Sequence, residues 1–224
     1  MCGRYVFATN PRQLTERFAL AVAPPDLPTR YNVAPQAYMP VVVGGRPNRL
    51  DIMQWGLVPS WAKPERGGQR LIDARAETVA ESPASRAPLR YHRCLVPAAG
   101  FYEWRATPRG RQPYFIHLPD EPLFAFAGLY DVWYSPDGTE LRTYTIITCE
   151  ANSLMAPIRD RMPVILPRDA EAAWLDPDES RTAAVLPLLR PYPAERMAAY
   201  PVSTAVNSPQ HDGPALIAPA PAGA

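Results

Sequence analysis

Cys2 is the residue whose position gives this chain a distinctive chemistry. Removal of Met1 would leave a thiol and a free α-amine on neighbouring carbons of one residue. Both groups titrate close enough to neutrality to be partly deprotonated there. A 1,2-aminothiol condenses with an aldehyde to an imine, releasing water, and its sulfur then closes a five-membered thiazolidine ring. An internal cysteine cannot do this, because its nitrogen is an amide. A second-position cysteine also arises by accident of a start codon, and Cys2 alone does not separate the two. Cys94 and Cys149 complete a set of three cysteines without a CxxC pair. Neither a disulfide framework nor a zinc knuckle is supported. Both lie in apolar, strand-like runs and read as buried structural thiols.

A chain of 224 residues with 47% hydrophobic content fits one large domain, or one domain with a tail, and can bury a full core. No apolar run reaches membrane-span length, and the polar start Cys2-Gly3-Arg4 reads against a signal peptide, so a cytoplasmic location is expected. The net charge of +1 argues against a generic basic nucleic-acid coat. The cations are 22 arginines and one lysine, Lys63. Arginine suits bidentate phosphate contacts, but a base-composition bias also enriches it, so only clustered arginines carry weight. Gly-rich phosphate loops, HExxH and GxSxG are all missing from the sequence, and no cofactor or metal is expected.

The elements that must position Cys2 begin with a strand over Gly3–Ala8. Asn10-Pro11 then opens a helix that buries Leu14 and Phe18. Ala23–Pro28 is a connector, and Tyr38–Val43 with Leu50–Leu57 forms a hairpin turning at Gly44-Gly45. Trp55–Lys63 and Pro64–Arg70 make a long loop with two exposed-looking tryptophans, and Leu71–Thr78 leads into a short helix. Cys94–Trp104, Pro113–Leu118, Leu123–Trp133 and Arg142–Cys149 read as strands, with a turn at Ser135–Gly138. A helical piece at Asn152–Met155, a helix over Arg168–Leu175, the polar stretch Asp176–Arg181 and a strand over Tyr200–Thr204 follow. Pro214–Ala224 reads as a disordered proline-rich tail. Strands joined mainly by turns favour a largely antiparallel α+β domain.

The stretches MCGRY, RYNVAP, WGLVPSW, ARAET, CLVPAAGFYEW, FAGLYDVW, TIITCEAN and DRMPVIL, in that order, closely resemble the SRAP family, the SOS-response-associated peptidases. The resemblance covers roughly residues 2–219 and implies one domain over 1–219 with a tail at 220–224. It implies a single compact α+β domain with a curved, largely antiparallel barrel-like sheet, few short helices and a positive DNA channel. Family members shed Met1 by self-processing and trap the ring-opened aldehyde of an abasic site as a thiazolidine DNA–protein crosslink. The implied partner is single-stranded DNA carrying abasic sites, or a single-strand/duplex junction, met by a monomer away from any membrane.

Carried over residue by residue, the resemblance makes Cys2 the nucleophile and Glu103 the catalytic carboxyl. Phe101, Tyr102 and Trp104 would give Glu103 an apolar setting and a raised pKa; a water-facing strand-end glutamate is the plain alternative. Arg4, Arg75 and Arg161 match arginines that hold DNA phosphates, a sequence-independent contact that suits a lesion lacking its base. Trp61 matches a group that packs on bases beside the lesion, while Trp55 reads as core. Asn32 either fixes its loop or touches substrate. Two positions depart from the pattern: Asp73 stands where the family has asparagine, and Arg159 where it has histidine. That histidine assists sugar ring opening and crosslink reversal, and arginine cannot exchange a proton near neutral pH. Asp73 and Arg159 are either a compensating pair or the mark of a divergent member. The alternatives are a non-covalent DNA-binding protein and a thiol peptidase limited to self-processing.

Overall fold

In the computed structural model, residues 3–22, 27, 29–63, 70–108, 110–176 and 182–221 are described. The chain opens with β1 (Arg4–Phe7), α1 (Pro11–Phe18), β2 (Arg30–Val33), β3 (Tyr38–Val43) and β4 (Arg49–Trp55). Next come β5 (Asp73–Arg75), α2 (Arg86–Tyr91), β6 (Arg93–Ala98), β7 (Gly100–Thr107) and β8 (Gly110–His117). Then follow β9 (Phe124–Tyr134), β10 (Glu140–Glu150), β11 (Arg161–Pro163) and β12 (Ile165–Leu166). The end of the chain holds α3 (Arg168–Leu175), α4 (Thr182–Val185), β13 (Ala198–Pro201) and three short 3₁₀ turns after Val185, Pro193 and Ser203, with a fourth over Pro214–Ile217.

Five strands close on themselves: β10 pairs with β4, β4 with β3, β3 with β6, β6 with β9, and β9 with β10. All these pairs are antiparallel except β10–β4, and β10 also holds β5 in parallel. The result is a mixed barrel within a single α+β domain. A second sheet, ordered β13-β8-β7-β1-β2, lies against it. Both faces of β1 are buried: Tyr5 and Phe7 enter the main core, while Val6 joins a smaller cluster with Tyr102 and Phe115. The Tyr5 hydroxyl meets the Tyr144 hydroxyl at 2.8 Å, and the Tyr5 ring packs edge-on against Trp55, 5.3 Å between centroids. This lock fixes β1 to the barrel three residues after Cys2.

The α1 helix begins as the sequence predicts, with Asn10 and Gln13 forming a reciprocal capping box and Pro11 in the first turn. Its Arg17 forks onto Glu171 of α3 at 2.7 and 2.6 Å, tying the two helices together. The β3–β4 hairpin also matches, in the register Val43↔Arg49 to Tyr38↔Gln54.

Several expectations are corrected. The stretch LIDARAET does not lead directly into its short helix: Asp73–Arg75 is drawn into the sheet by β10, and turns follow from Ala76. The helix comes only at Arg86–Tyr91, beyond Pro83. Asn152–Met155 is part of a run of turns, with Asn152 Oδ1 accepting from the Met155 N–H at 3.0 Å. Cys94–Trp104 is two strands in different sheets, divided at Ala99 and Gly100. The last strand is Ala198–Pro201, set by antiparallel pairing with β8. Of the two exposed-looking tryptophans, Trp55 is fully buried, in line with its reading as core. Pro214–Ile217 forms a 3₁₀ turn that buries Leu216, and the Ala220 N–H bonds Pro201 O at 2.8 Å, so most of the expected tail is packed. The connector at 23–28, the loop at 64–70 and the polar stretch at 176–181 fall wholly or mainly outside the described residues. No described helix is long and apolar enough to cross a membrane.

Gly100 shows what the division of the long run requires. A Cβ there would lie 2.3 and 2.4 Å from Phe115 ring carbons and 2.8 Å from Ile116 O. Gly100→Ala should therefore lower the unfolding free energy by about 1–3 kcal/mol, read by urea denaturation. Unchanged stability would show that Phe115 can move aside.

Candidate active site and nucleic-acid interface

β1 and β7 run antiparallel with Val6 opposite Gly100, Tyr5 opposite Phe101 and Arg4 opposite Tyr102. The chain preceding Arg4 therefore runs toward the part of β7 that carries Glu103. Cys2 lies outside the described residues; its peptide bond to Gly3 keeps the two Cα atoms about 3.8 Å apart. A cleft of about 480 Å³ opens on the face of β7 that carries Trp104, the opposite face from Glu103, walled by Gly3, Arg4, Pro35, Trp104, Arg111 and Asn207.

Glu103 is only 2% exposed. Burial pushes its carboxyl up to about 7, which the positive charges of the chain's amino terminus and Arg159 only partly oppose. Its Oε2 also accepts a long bond from the Trp104 N–H at 3.4 Å. Asp160 pushes the same group upward. The Arg159 Nε lies 3.6 Å from Asp160 Oδ1, and the Arg159 backbone N–H bonds Met155 O at 2.8 Å. Glu103, Arg159 and Asp160 thus form one electrostatic group.

Asp73 belongs to a second group. Its Oδ2 accepts from the Thr148 hydroxyl at 3.4 Å, and that hydroxyl accepts from Arg161 Nε and Nη2, each at 3.3 Å. Arg161 also bonds Thr148 O at 2.7 Å and forks onto Glu77 at 3.2 and 2.9 Å. Partial burial is the largest single influence and would raise the Glu77 carboxyl, but the Arg161 hydrogen bond, a backbone hydrogen bond and the charges of Arg161 and Arg75 together outweigh it and hold the group below the usual range. Arg75 is exposed, opposite Thr148 in the β5–β10 register. Among the described residues no ion pair joins Asp73 to Arg159. Arg159 stands by Asp160 instead, so direct charge balance within an Asp73–Arg159 pair is not what the geometry provides. Thr148 and Glu77 went unmarked in the sequence, because only the strand register reveals what they link.

Arg4 and Asn32 are joined to each other. Arg4 Nη1 donates to Asn32 Oδ1 at 2.9 Å and to Val206 O at 2.7 Å, while Nη2 reaches Asn207 O at 3.1 Å. The buried Asn32 amide donates to Val206 O, Ser208 O and His211 O at 3.3, 2.9 and 2.9 Å. Its side chain therefore fixes the segment 206–211 against β1. Trp104 Nε1 donates to Asn207 Oδ1 at 2.7 Å, bringing the same segment to the rim of the cleft. Arg111, across the β7–β8 pairing, is a cleft residue that the sequence did not single out.

Trp61 is 65% exposed on a loop held at several points. The Val58 N–H bonds Thr143 Oγ1 at 2.9 Å, the Ser60 N–H bonds Asp131 Oδ2 at 2.8 Å, and Trp133 Nε1 bonds Ala62 O at 2.8 Å. Trp55 lies in the core with its Nε1 on Ile72 O at 2.9 Å. Burial pushes the Cys94 thiol far above its ordinary value and Cys149 up to about 12, so neither is a nucleophile near neutrality. Among the described residues no cluster of His, Cys, Asp or Glu could hold a metal.

Comparison with known proteins bears on this geometry. A family model described as SOS response associated peptidase (SRAP) matches residues 1–209. The Abasic site processing protein YoqW of Bacillus subtilis is 45% identical over 221 residues, 97% of this chain and 99% of its own. The Abasic site processing protein HMCES of Gallus gallus is 38% identical over 222 residues, 84% of this chain and 66% of its own. A crystal structure of a protein from Bacteroides thetaiotaomicron superposes with a TM-score of 0.88 at 31% identity, covering 98% of this chain and 100% of that one.

The titration of Glu103 is open to test through stability. Its folded-state pKa lies above the unfolded carboxylate value, so the native state binds the proton more tightly. The stability this contributes is present in acid and is lost as pH rises through about 7. Relative to Glu103→Gln, the wild type should lose up to about 3 kcal/mol between about pH 4 and about pH 8. Parallel pH profiles of the two proteins would mean that Glu103 titrates as an ordinary carboxylate.

Proposed function

The chain belongs to the SOS response associated peptidase (SRAP) family, and from that membership we propose that it captures abasic sites in single-stranded DNA through Cys2 once Met1 is removed. The observation that supports this most is Glu103, a buried carboxyl raised to about 7 on the strand paired with the one that follows Cys2. Such a group is partly protonated at neutral pH and can both give and take a proton.

In this reading the Cys2 amine adds to the ring-opened sugar aldehyde to give a carbinolamine. Protonated Glu103 donates to the departing hydroxyl, which leaves as water, and an imine forms. The thiol sulfur adds to the imine carbon, its proton passes to the nitrogen, and the thiazolidine closes. The earlier removal of Met1 consumes one water across the Met1–Cys2 amide, with the Glu103 carboxylate as base, and peptide cleavage is limited to that bond. Arg75 holds a phosphate, Arg161 does so by exchanging its fork on Glu77 for phosphate oxygens, and Trp61 packs on a base beside the lesion, worth about 1–3 kcal/mol. Arg4 acts with Asn32 in bracing the cleft. Asp73 acts through the Thr148 hydroxyl, and the Arg159 charge favours the ionised form of Glu103.

Mixing the purified protein with abasic single-stranded DNA and running a denaturing gel tests the proposal. A shifted band should form with the wild type and be missing from Cys2→Ala. A shift on a native gel with no denaturant-resistant band over hours would favour a non-covalent DNA-binding protein. Arg159→His, which restores a group able to exchange protons, should speed crosslinking or its reversal. Unchanged rates in both directions would remove any role for that position.

A further inference from the structure

Away from Cys2 and Glu103, two clefts of about 390 and about 230 Å³ meet at Arg90 and Tyr91. Ala80 and Arg86 line the first, and Arg49 and Tyr130 the second. Arg86 and Arg90 stand four residues apart on α2, hence on one face, where like charges repel mildly. Many arginines of this protein are neutralised: Arg12, Arg17, Arg142, Arg161, Arg168 and Arg196 all lie within ion-pair distance of a carboxylate. Among the described residues none does so for Arg49, Arg86 or Arg90. The carboxylate on the described walls is Asp176, in the second cleft beside Arg93, whose Nη2 bonds Asp176 O at 2.8 Å. Between the exposed cations stands Tyr91, 67% exposed with its ring uncovered.

We propose that this groove binds the sugar–phosphate backbone of single-stranded DNA beyond the lesion, with Tyr91 as a stacking platform. The inference rests on the reading that this chain engages single-stranded DNA, and it gives the strand a second station. Cations interleaved with an open aromatic ring are the combination by which sequence-tolerant single-strand sites work. The groove is also tied to the candidate site along the chain. Arg75 and Ala80 are five residues apart, and therefore no more than about 18 Å. They share a turn segment in which the Thr78 N–H bonds Arg75 O at 3.1 Å and the Arg86 N–H bonds Ser82 O at 2.9 Å. A strand held by Arg75 at one end can reach Arg86 and Arg90 within a few nucleotides.

Fluorescence anisotropy of the full chain with intact, labelled oligothymidines of about 5 and about 20 nucleotides, below and above a typical single-strand site, tests this. The wild type should gain affinity with length. Arg86→Ala with Arg90→Ala should lose about tenfold on the long oligomer and lower its salt slope by about 0.7 per arginine. Tyr91→Ala should lose about fivefold, with Tyr91→Phe restoring it. All three side chains are exposed, and a thermal unfolding scan checks each variant; Arg86→Gln with Arg90→Gln replaces any that fails to fold. Variants that bind the long oligomer like the wild type, with the same salt slope, overturn the proposal and leave the groove to another polyanion such as an acidic protein. Intact DNA carries no aldehyde, so the two readings fail separately. Length-dependent binding without crosslinking refutes the trap alone, and crosslinking with wild-type binding by the variants refutes the groove alone.

Discussion

A carboxyl held almost entirely out of water is the constraint on which the rest of this site depends. Burial disfavours the charged form of Glu103 and lifts it to about 7. That position is stable only because β7 is fixed on both sides, by β1 and by β8. The Tyr5–Tyr144 hydroxyl contact and the packing of Tyr5 on Trp55 in turn fix β1 to the barrel. The reactivity proposed for the first residues of the chain is therefore set by the pairing and packing of the strand that follows them.

Around this carboxyl the charges fall into two separate groups. Arg159 and Asp160 act on Glu103 with opposite signs, whereas Asp73, Thr148, Arg161 and Glu77 form a hydrogen-bonded line along β5, β10 and β11. The two positions that depart from the family pattern thus sit in different networks and answer to different partners. Asn32 adds a mechanical role. By donating to three carbonyls of 206–211 while accepting from Arg4, it makes a late segment of the chain part of the wall beside the first strand.

Local chemistry made some of this legible in the sequence. Asn10-Pro11 announced the first helix, Gly44-Gly45 the hairpin, and the aromatic neighbours of Glu103 its burial. The family stretches carried the choice of Cys2 and the fold class. What the sequence hid was long-range. Asp73–Arg75 became a strand only because β10 offered it an edge, and CLVPAAGFYEW split because Gly100 must pass close to Phe115. The bond from Asn32 to His211 spans most of the chain, and no local pattern encodes it. Packing of the expected tail likewise depends on Leu216 finding a cluster built from β1, β7 and β8.

The proposed trap depends on an exposed aminothiol at position 2, and the intact mass of the protein after incubation with an abasic oligonucleotide tests that most directly. The account predicts one new species, equal to the chain without Met1 plus the oligonucleotide minus one water, that is missing when Cys2 is replaced by alanine. A chain that retains Met1 and gains no mass, or an adduct that persists without Cys2, would contradict it.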